Sequence, residues 1–173
     1  SERIRGGRRA VNIRNRNAVL DGDEADLRAD AVAIVEEALS TVSSERLLGD
    51  TVDRSGDTVT IDGRPYRLDA QGDLFVVGAG KGAGALTTSV LRRLGERVTE
   101  AIVIEKDAST VDRTAIDLSN DALTVLEAAH PVPTRASLDA AERVIALAER
   151  AGPDDLVVCC ITGGASALLA APD

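Results

Sequence analysis

The stretch Val76–Leu86, VVGAGKGAGAL, sets four glycines and a lysine directly after a run of apolar β-formers. A Gly-rich turn between a strand and a helix brings main-chain N–H groups and the positive end of a helix dipole to one point, where an anion is favoured. Both elements can be read on either side. Leu74–Val77 (LFVV) is a short, fully apolar strand, and Ala83–Leu94 has helical spacing with Gly95 placed to end it.

The pattern then repeats downstream. Ala101–Glu105 (AIVIE) predicts a second strand. Asp121–Ala129 predicts a third strand running into a loop, because His130-Pro131-Val132-Pro133 stops anything helical. Ser137–Ala151 predicts a helix with Ser137 at its cap and an incomplete capping box. Leu156–Ile161 (LVVCCI) predicts another buried strand, leaving through TGGASALLAA into a further helix. Strand and helix alternate, so the expected fold is α/β: a doubly wound, mostly parallel, Rossmann-like sheet. It is preceded by a helix over Asp23–Val42, with an apolar stripe through Leu27, Val32, Ile34, Val35, Ala38, Leu39 and Val42. A β-hairpin over Thr58–Leu68 follows, turning at Asp62-Gly63 with Pro65 on an edge strand. Residues 1–22, rich in Arg, read as a flexible or docking arm, and residues 23–173 as one domain. A sheet of this kind normally continues past the point reached at Asp173, so a domain incomplete at its C-terminus is expected.

Composition narrows the partners. The chain has 173 residues, a net charge of −9 and only 1% aromatic residues, so Val, Leu, Ile and Ala must fill the core, as parallel α/β cores do. An acidic chain argues against nucleic acid as a partner, and no apolar run approaches the roughly 18 residues of a membrane span. Lys81 and Lys106 are the only lysines among 20 basic residues; abundant Asp with so little Lys suggests an acidic, salt-adapted (halophilic) source. Cys159 and Cys160 are adjacent, without a CxxC pattern or a Cys/His cluster. They read as small core residues of a reducing cytoplasm.

Two chemistries compete for the glycine loop. A Walker A loop is disfavoured, since Phe75 falls where its first glycine should be and Gly82 where Ser or Thr should be. Gly78, Gly80 and Ala83 satisfy the dinucleotide fingerprint, with Glu105 at about the distance of a ribose-binding acid. That keeps a nicotinamide oxidoreductase open. Lys81 favours phosphoryl transfer instead, because a fixed ammonium suits a group whose negative charge grows during reaction. Thr162, Gly163, Gly164 and Ser166 form a second strand-to-helix bend whose N–H groups could make an anion nest. Ser166 does not fit a hydrolase nucleophile: the elbow's final glycine is missing, and the only histidine, His130, precedes it.

The ordered motifs VVGAGK, HPVP and TGGASALL resemble the N-terminal domain of the glycerate 2-kinase family, whose members carry a C-terminal MOFRL domain and are also labelled hydroxypyruvate reductases. The stretches NRNAVLDG…LRADAVAIVEEAL and DTVTIDGRPYRLD share the resemblance. It implies ATP-dependent phosphorylation of D-glycerate to 2-phosphoglycerate with Mg²⁺, for which it names no ligands. By motif match it implies Lys81 as the catalytic lysine, Gly163, Gly164 and Ser166 as the family's glycine-serine loop and His130 as its HPVP histidine; with Gly78, Gly80, Gly82 and Thr162 of the two bends, these are the expected substrate- or phosphate-binding residues. Ala129 and Ala165 stand where the family usually has glycine. Family members are at least about twice this length, and the resemblance implies that a second domain, absent here, supplies an arginine to the cleft. The expected partners are therefore small molecules, glycerate and ATP, and at most a second copy of the chain as a homodimer. An NAD(P)-dependent hydroxypyruvate reductase and an inactive anion-binding fragment stay open as alternatives.

Overall fold

The computed structural model describes residues 13, 15–49, 51–68, 72–119 and 121–172. The chain divides into two compact units, Ser1–Leu47 and Leu48–Asp173. Among the described residues the first holds three helices: α1 (Arg16–Leu20), α2 (Ala25–Thr41) and α3 (Ser44–Leu47). The expected arm thus contains one short helical turn, while its residues 1–12 and 14 lie outside the described part. Arg16 Nε donates to Glu36 Oε1 at 3.4 Å, tying α1 to α2. Of the apolar stripe read on α2, Val32 is buried, whereas Leu27, Ile34, Val35, Leu39 and Val42 are exposed.

The second unit opens with a small antiparallel sheet in the order β1-β2-β3: β1 (Val52–Ser55), β2 (Thr58–Ile61) and β3 (Arg64–Arg67). The hairpin forms as read, with both turn residues at positive φ, Asp62 at 50° and Gly63 at 72°, the geometry that matches strand twist. Pro65 lies on the edge strand β3, where its missing N–H removes no ladder bond. Strand β1 was not legible in the sequence: Val52 is its single buried residue, in a short polar run.

The main sheet is parallel, in the order β6-β5-β4-β7. Its strands are β4 (Leu74–Ala79), β5 (Glu100–Glu105), β6 (Leu123–Glu127) and β7 (Leu156–Ile161). Helix α4 (Ala83–Leu94) links β4 to β5, and α5 (Arg135–Arg150) links β6 to β7. Val90, Leu91 and Leu94 of α4 cover one face, over Leu74, Val76, Val103 and Val158. Ala140 and Leu147 of α5 cover the other, over Phe75, Val77, Ile102 and Ile104. The sheet is doubly wound, as expected. Gly95 ends α4 with φ of 60°. Helix α5 starts two residues before the expected position: Thr134 is its cap and Ser137 the inner member of a capping box, its Oγ accepting the Thr134 N–H at 3.2 Å.

One strand departs from its reading. β7 pairs with β4 on one side only among the described residues, and its residues alternate between buried and exposed. Val158 and Cys160 face α4, while Val157, Cys159 and Ile161 are exposed. The unbroken apolar run concealed this, because a strand buried on both faces and a half-covered edge strand share a composition. Among the described residues no helix is long and apolar enough to cross a membrane.

The two thiols should therefore behave differently. Burial pushes the Cys160 thiol up to about 11, whereas Cys159 is open to solvent. With a disulfide reagent at pH 8, we expect one equivalent to react quickly, at Cys159, and the second only on unfolding. The unfolded chain loses the Cys160 proton first as pH rises, so this group's contribution to stability is complete below about pH 9 and is lost through about pH 11. Equal reaction of both thiols in the native protein would contradict this packing.

Candidate functional site

The strand order reverses between β4 and β7, and the crevice beside the carboxyl ends of such strands is where open α/β sheets place ligands. Both glycine bends leave the sheet there. β4 and β7 run in register from Leu74↔Leu156 to Ala79↔Ile161, so Gly80-Lys81 and Thr162-Gly163-Gly164 emerge side by side.

The bends interlock. The Thr162 N–H donates to Ala79 O at 3.0 Å, the Lys81 N–H to Gly163 O at 3.0 Å, and the Gly82 N–H to Thr162 Oγ1 at 3.1 Å. Gly80, at φ of 128°, presses against Thr162 so closely that a β-carbon would lie 2.5 Å from its carbonyl oxygen. Only glycine fits that approach. The Thr162 hydroxyl thus serves as a fastener between the loops.

The first loop does not offer an open amide cradle. Gly80 N–H donates to Ile104 O, Ala83 N–H to Gly80 O, and Gly84 N–H to Glu105 Oε1. With Lys81 and Gly82 already engaged, every N–H from Gly80 to Gly84 has a protein acceptor. Gly78, grouped from sequence with the phosphate-binding glycines, lies within β4, where it lets the Thr87 side chain of α4 approach the sheet. Glu105, the expected ribose acid, is 1% exposed and turned onto the first turn of α4.

The open donors are elsewhere. Among the described residues the Gly163 and Gly164 N–H groups donate to no protein acceptor, and Lys81 enters no ion pair. Lys81, Gly82, Gly163 and Ser166 are exposed, and His130 and Gly164 half-buried. Gly164, at φ of 92°, is the point of convergence. A β-carbon there would lie 2.9 Å from His130 Cδ2, 3.0 Å from His130 Nε2 and 3.2 Å from Lys81 Cγ. One amide corner thus meets an imidazole edge and the lysine stem. A β-carbon on Gly163 would meet nothing within 4 Å, so this corner opens outward.

Mg²⁺ finds no seat among these groups. The carboxylates ending β5 and β6, Glu105 and Glu127, are turned to the N–H groups of Gly84, Lys106 and Ala108. Among the described residues no three His, Cys, Asp or Glu side chains cluster as ligands.

The two neighbouring glycines should respond in opposite ways. Gly164→Ala forces a side chain into left-handed backbone and onto His130, and should cost about 1–3 kcal/mol in urea unfolding. Gly163→Ala should stay within about 0.5 kcal/mol. Equal costs would mean that the bend is not held against His130 and Lys81.

Residues 30–173 match the family described as "Domain of unknown function (DUF4147)". A glycerate 2-kinase of Pyrococcus horikoshii is 26% identical over 148 residues, covering 86% of this chain and 31% of that protein. A protein of Agrobacterium vitis bearing the provisional name hydroxypyruvate reductase is 38% identical over 102 residues, covering 59% of this chain and 22% of that one. In fold, the chain is similar to a solved protein of Pyrococcus horikoshii (TM-score 0.68, 24% identity, 85% of this chain and 31% of that one). It is also similar to a glycerate kinase of Thermotoga maritima (TM-score 0.60, 22% identity, 83% and 30%). The chain thus spans about a third or less of the relatives it matches. The family match runs through both glycine bends and the histidine between them, and the chain belongs to the DUF4147 family, the N-terminal part of the glycerate kinase/MOFRL family.

Proposed function

We propose that this chain forms one wall of a glycerate 2-kinase cleft, for transfer of the γ-phosphoryl group of ATP to the 2-hydroxyl of D-glycerate. The observation that carries this reading is the meeting of Lys81, His130 and the unengaged Gly163 and Gly164 N–H groups at one open corner. Phosphoryl transfer asks mainly for fixed donors around oxygens whose charge is redistributed. Two main-chain N–H groups, held by interlocked bends, with a lysine stem against them, suit that requirement. Lys81 is the catalytic residue of this proposal. In it Gly163 and Gly164 bind phosphoryl oxygens, Thr162, Gly80 and Gly82 hold the bends together, and His130 and Ser166 hydrogen-bond substrate. Residues 23–173 are read as the Rossmann-like wall, with turnover depending on groups such as the relatives carry outside the matched third.

The reductase alternative loses the ribose acid that the dinucleotide fingerprint assigned to it. Its ribose acid would be Glu105, and that carboxylate is buried against α4. The net charge of −9 repels both glycerate and ATP at long range, so a concentrated positive corner has to overcome it.

The decisive measurement is glycerate-dependent ADP release, run beside hydroxypyruvate-dependent NADH oxidation, on this chain and on it joined to the remainder of a DUF4147 relative. We expect the first activity and not the second. Where turnover occurs, Lys81→Ala should cost at least about 3 kcal/mol, on the order of 100-fold in kcat/KM. A loss of less than about tenfold would remove Lys81 from the chemistry.

A further inference from the structure

Glu105 is an unusual side chain to find where it lies. It ends a strand whose four preceding residues, Ala101–Ile104, are apolar and buried, and it is itself 1% exposed. A carboxylate in such a place is costly unless hydrogen-bonded, and here both oxygens accept main-chain N–H groups. Oε1 takes Gly84 N–H at 2.6 Å and Oε2 takes Lys106 N–H at 3.3 Å. Gly84 is the second residue of α4, so the carboxylate sits at the positive end of that helix, in the place a bound phosphate would take. The same residue acts through its backbone as well: Ala128 N–H donates to Glu105 O at 2.9 Å. Lys81 lies three residues before Gly84, and His130 two residues after Ala128. One residue therefore hydrogen-bonds within three residues of both side chains that converge over Gly164.

We propose that Glu105 is a positioning residue that fills the α4 N-terminus with an internal anion, so that a ligand's anionic group is directed away from α4 to Lys81 and the Gly163-Gly164 bend. The second half of this statement rests on the proposed site; the first does not. The carboxylate also explains why a lysine is needed beside a helix N-terminus at all. The helix dipole is already spent on Glu105, and a second anion nearby requires a positive charge of its own.

The test is amide and lysine NMR on the chain, with its two lysines dimethylated with ¹³C and inorganic phosphate as the probe. In the wild type, we expect the Gly84 amide to stay unmoved by phosphate. The Gly163 and Gly164 amides and the Lys81 methyl signal should shift with phosphate. In Glu105→Ala the Gly84 amide should become phosphate-responsive, and in Glu105→Gln, which keeps an oxygen for Gly84, it should stay silent. Mere packing would not produce that pattern. A phosphate shift at wild-type Gly84, or none at Gly84 in a folded Glu105→Ala, overturns the proposal. Should Glu105→Ala not fold, the wild type and Glu105→Gln decide, and a phosphate shift at Gly84 in either overturns it. Silence at Lys81, Gly163 and Gly164 defeats the anion site and the proposed function with it, while Gly84 still reports on Glu105.

Discussion

The hydrogen bond from Lys81 N–H to Gly163 O, 3.0 Å long, joins two chain crossings that are 82 residues apart in sequence. It can form because β4 and β7 are parallel neighbours in register and because Gly80 carries no side chain to hold Thr162 away. Each loop then serves as the other's floor. The first bend uses its amides internally and contributes a side chain, Lys81; the second contributes its main-chain N–H groups. A lone Gly-rich turn would have to supply both from one segment. Dividing the work lets the lysine stem lie against Gly164 while the corner beside Gly163 stays open.

This division separates the fold from a dinucleotide-binding sheet of the same topology. In the dinucleotide motif the first helix points its N-terminus at pyrophosphate, and an acid at the end of the second strand takes the ribose. Here the acid is present, but it is turned inward onto that same helix, so one carboxylate takes up both features at once. The topology is shared and the ligand chemistry need not be.

Much of this architecture could be read from residue pattern. The limits of α4 follow from Ala83 after the glycines and Gly95 at its end, and the hairpin follows from Asp62-Gly63, because these signals act locally. Lys81 stood out because lysine is so rare in the chain. The half-exposed face of β7 was not readable, since what covers a strand is decided by elements far away in sequence. Nor was the inward turn of Glu105. A carboxylate at the end of AIVIE looks the same whether it meets a sugar hydroxyl or a peptide N–H, and only its rotamer and the position of α4 distinguish the two. The one available signal was its setting, a charge ending a run with no other polar residue. The α5 capping box was missed by three positions because Thr134 follows Pro133, which looks like loop rather than helix start.

The sheet order also sets the two sides of the corner on unlike strands. Lys81 follows β4, which is flanked by strands on both sides and covered on both faces. Gly163 and Gly164 follow β7, which has one neighbour among the described residues and an uncovered face at Val157, Cys159 and Ile161. Lys81 therefore leaves the middle of the sheet and the amide donors leave its neighbour, and the hydrogen bonds between the two bends make one corner of them.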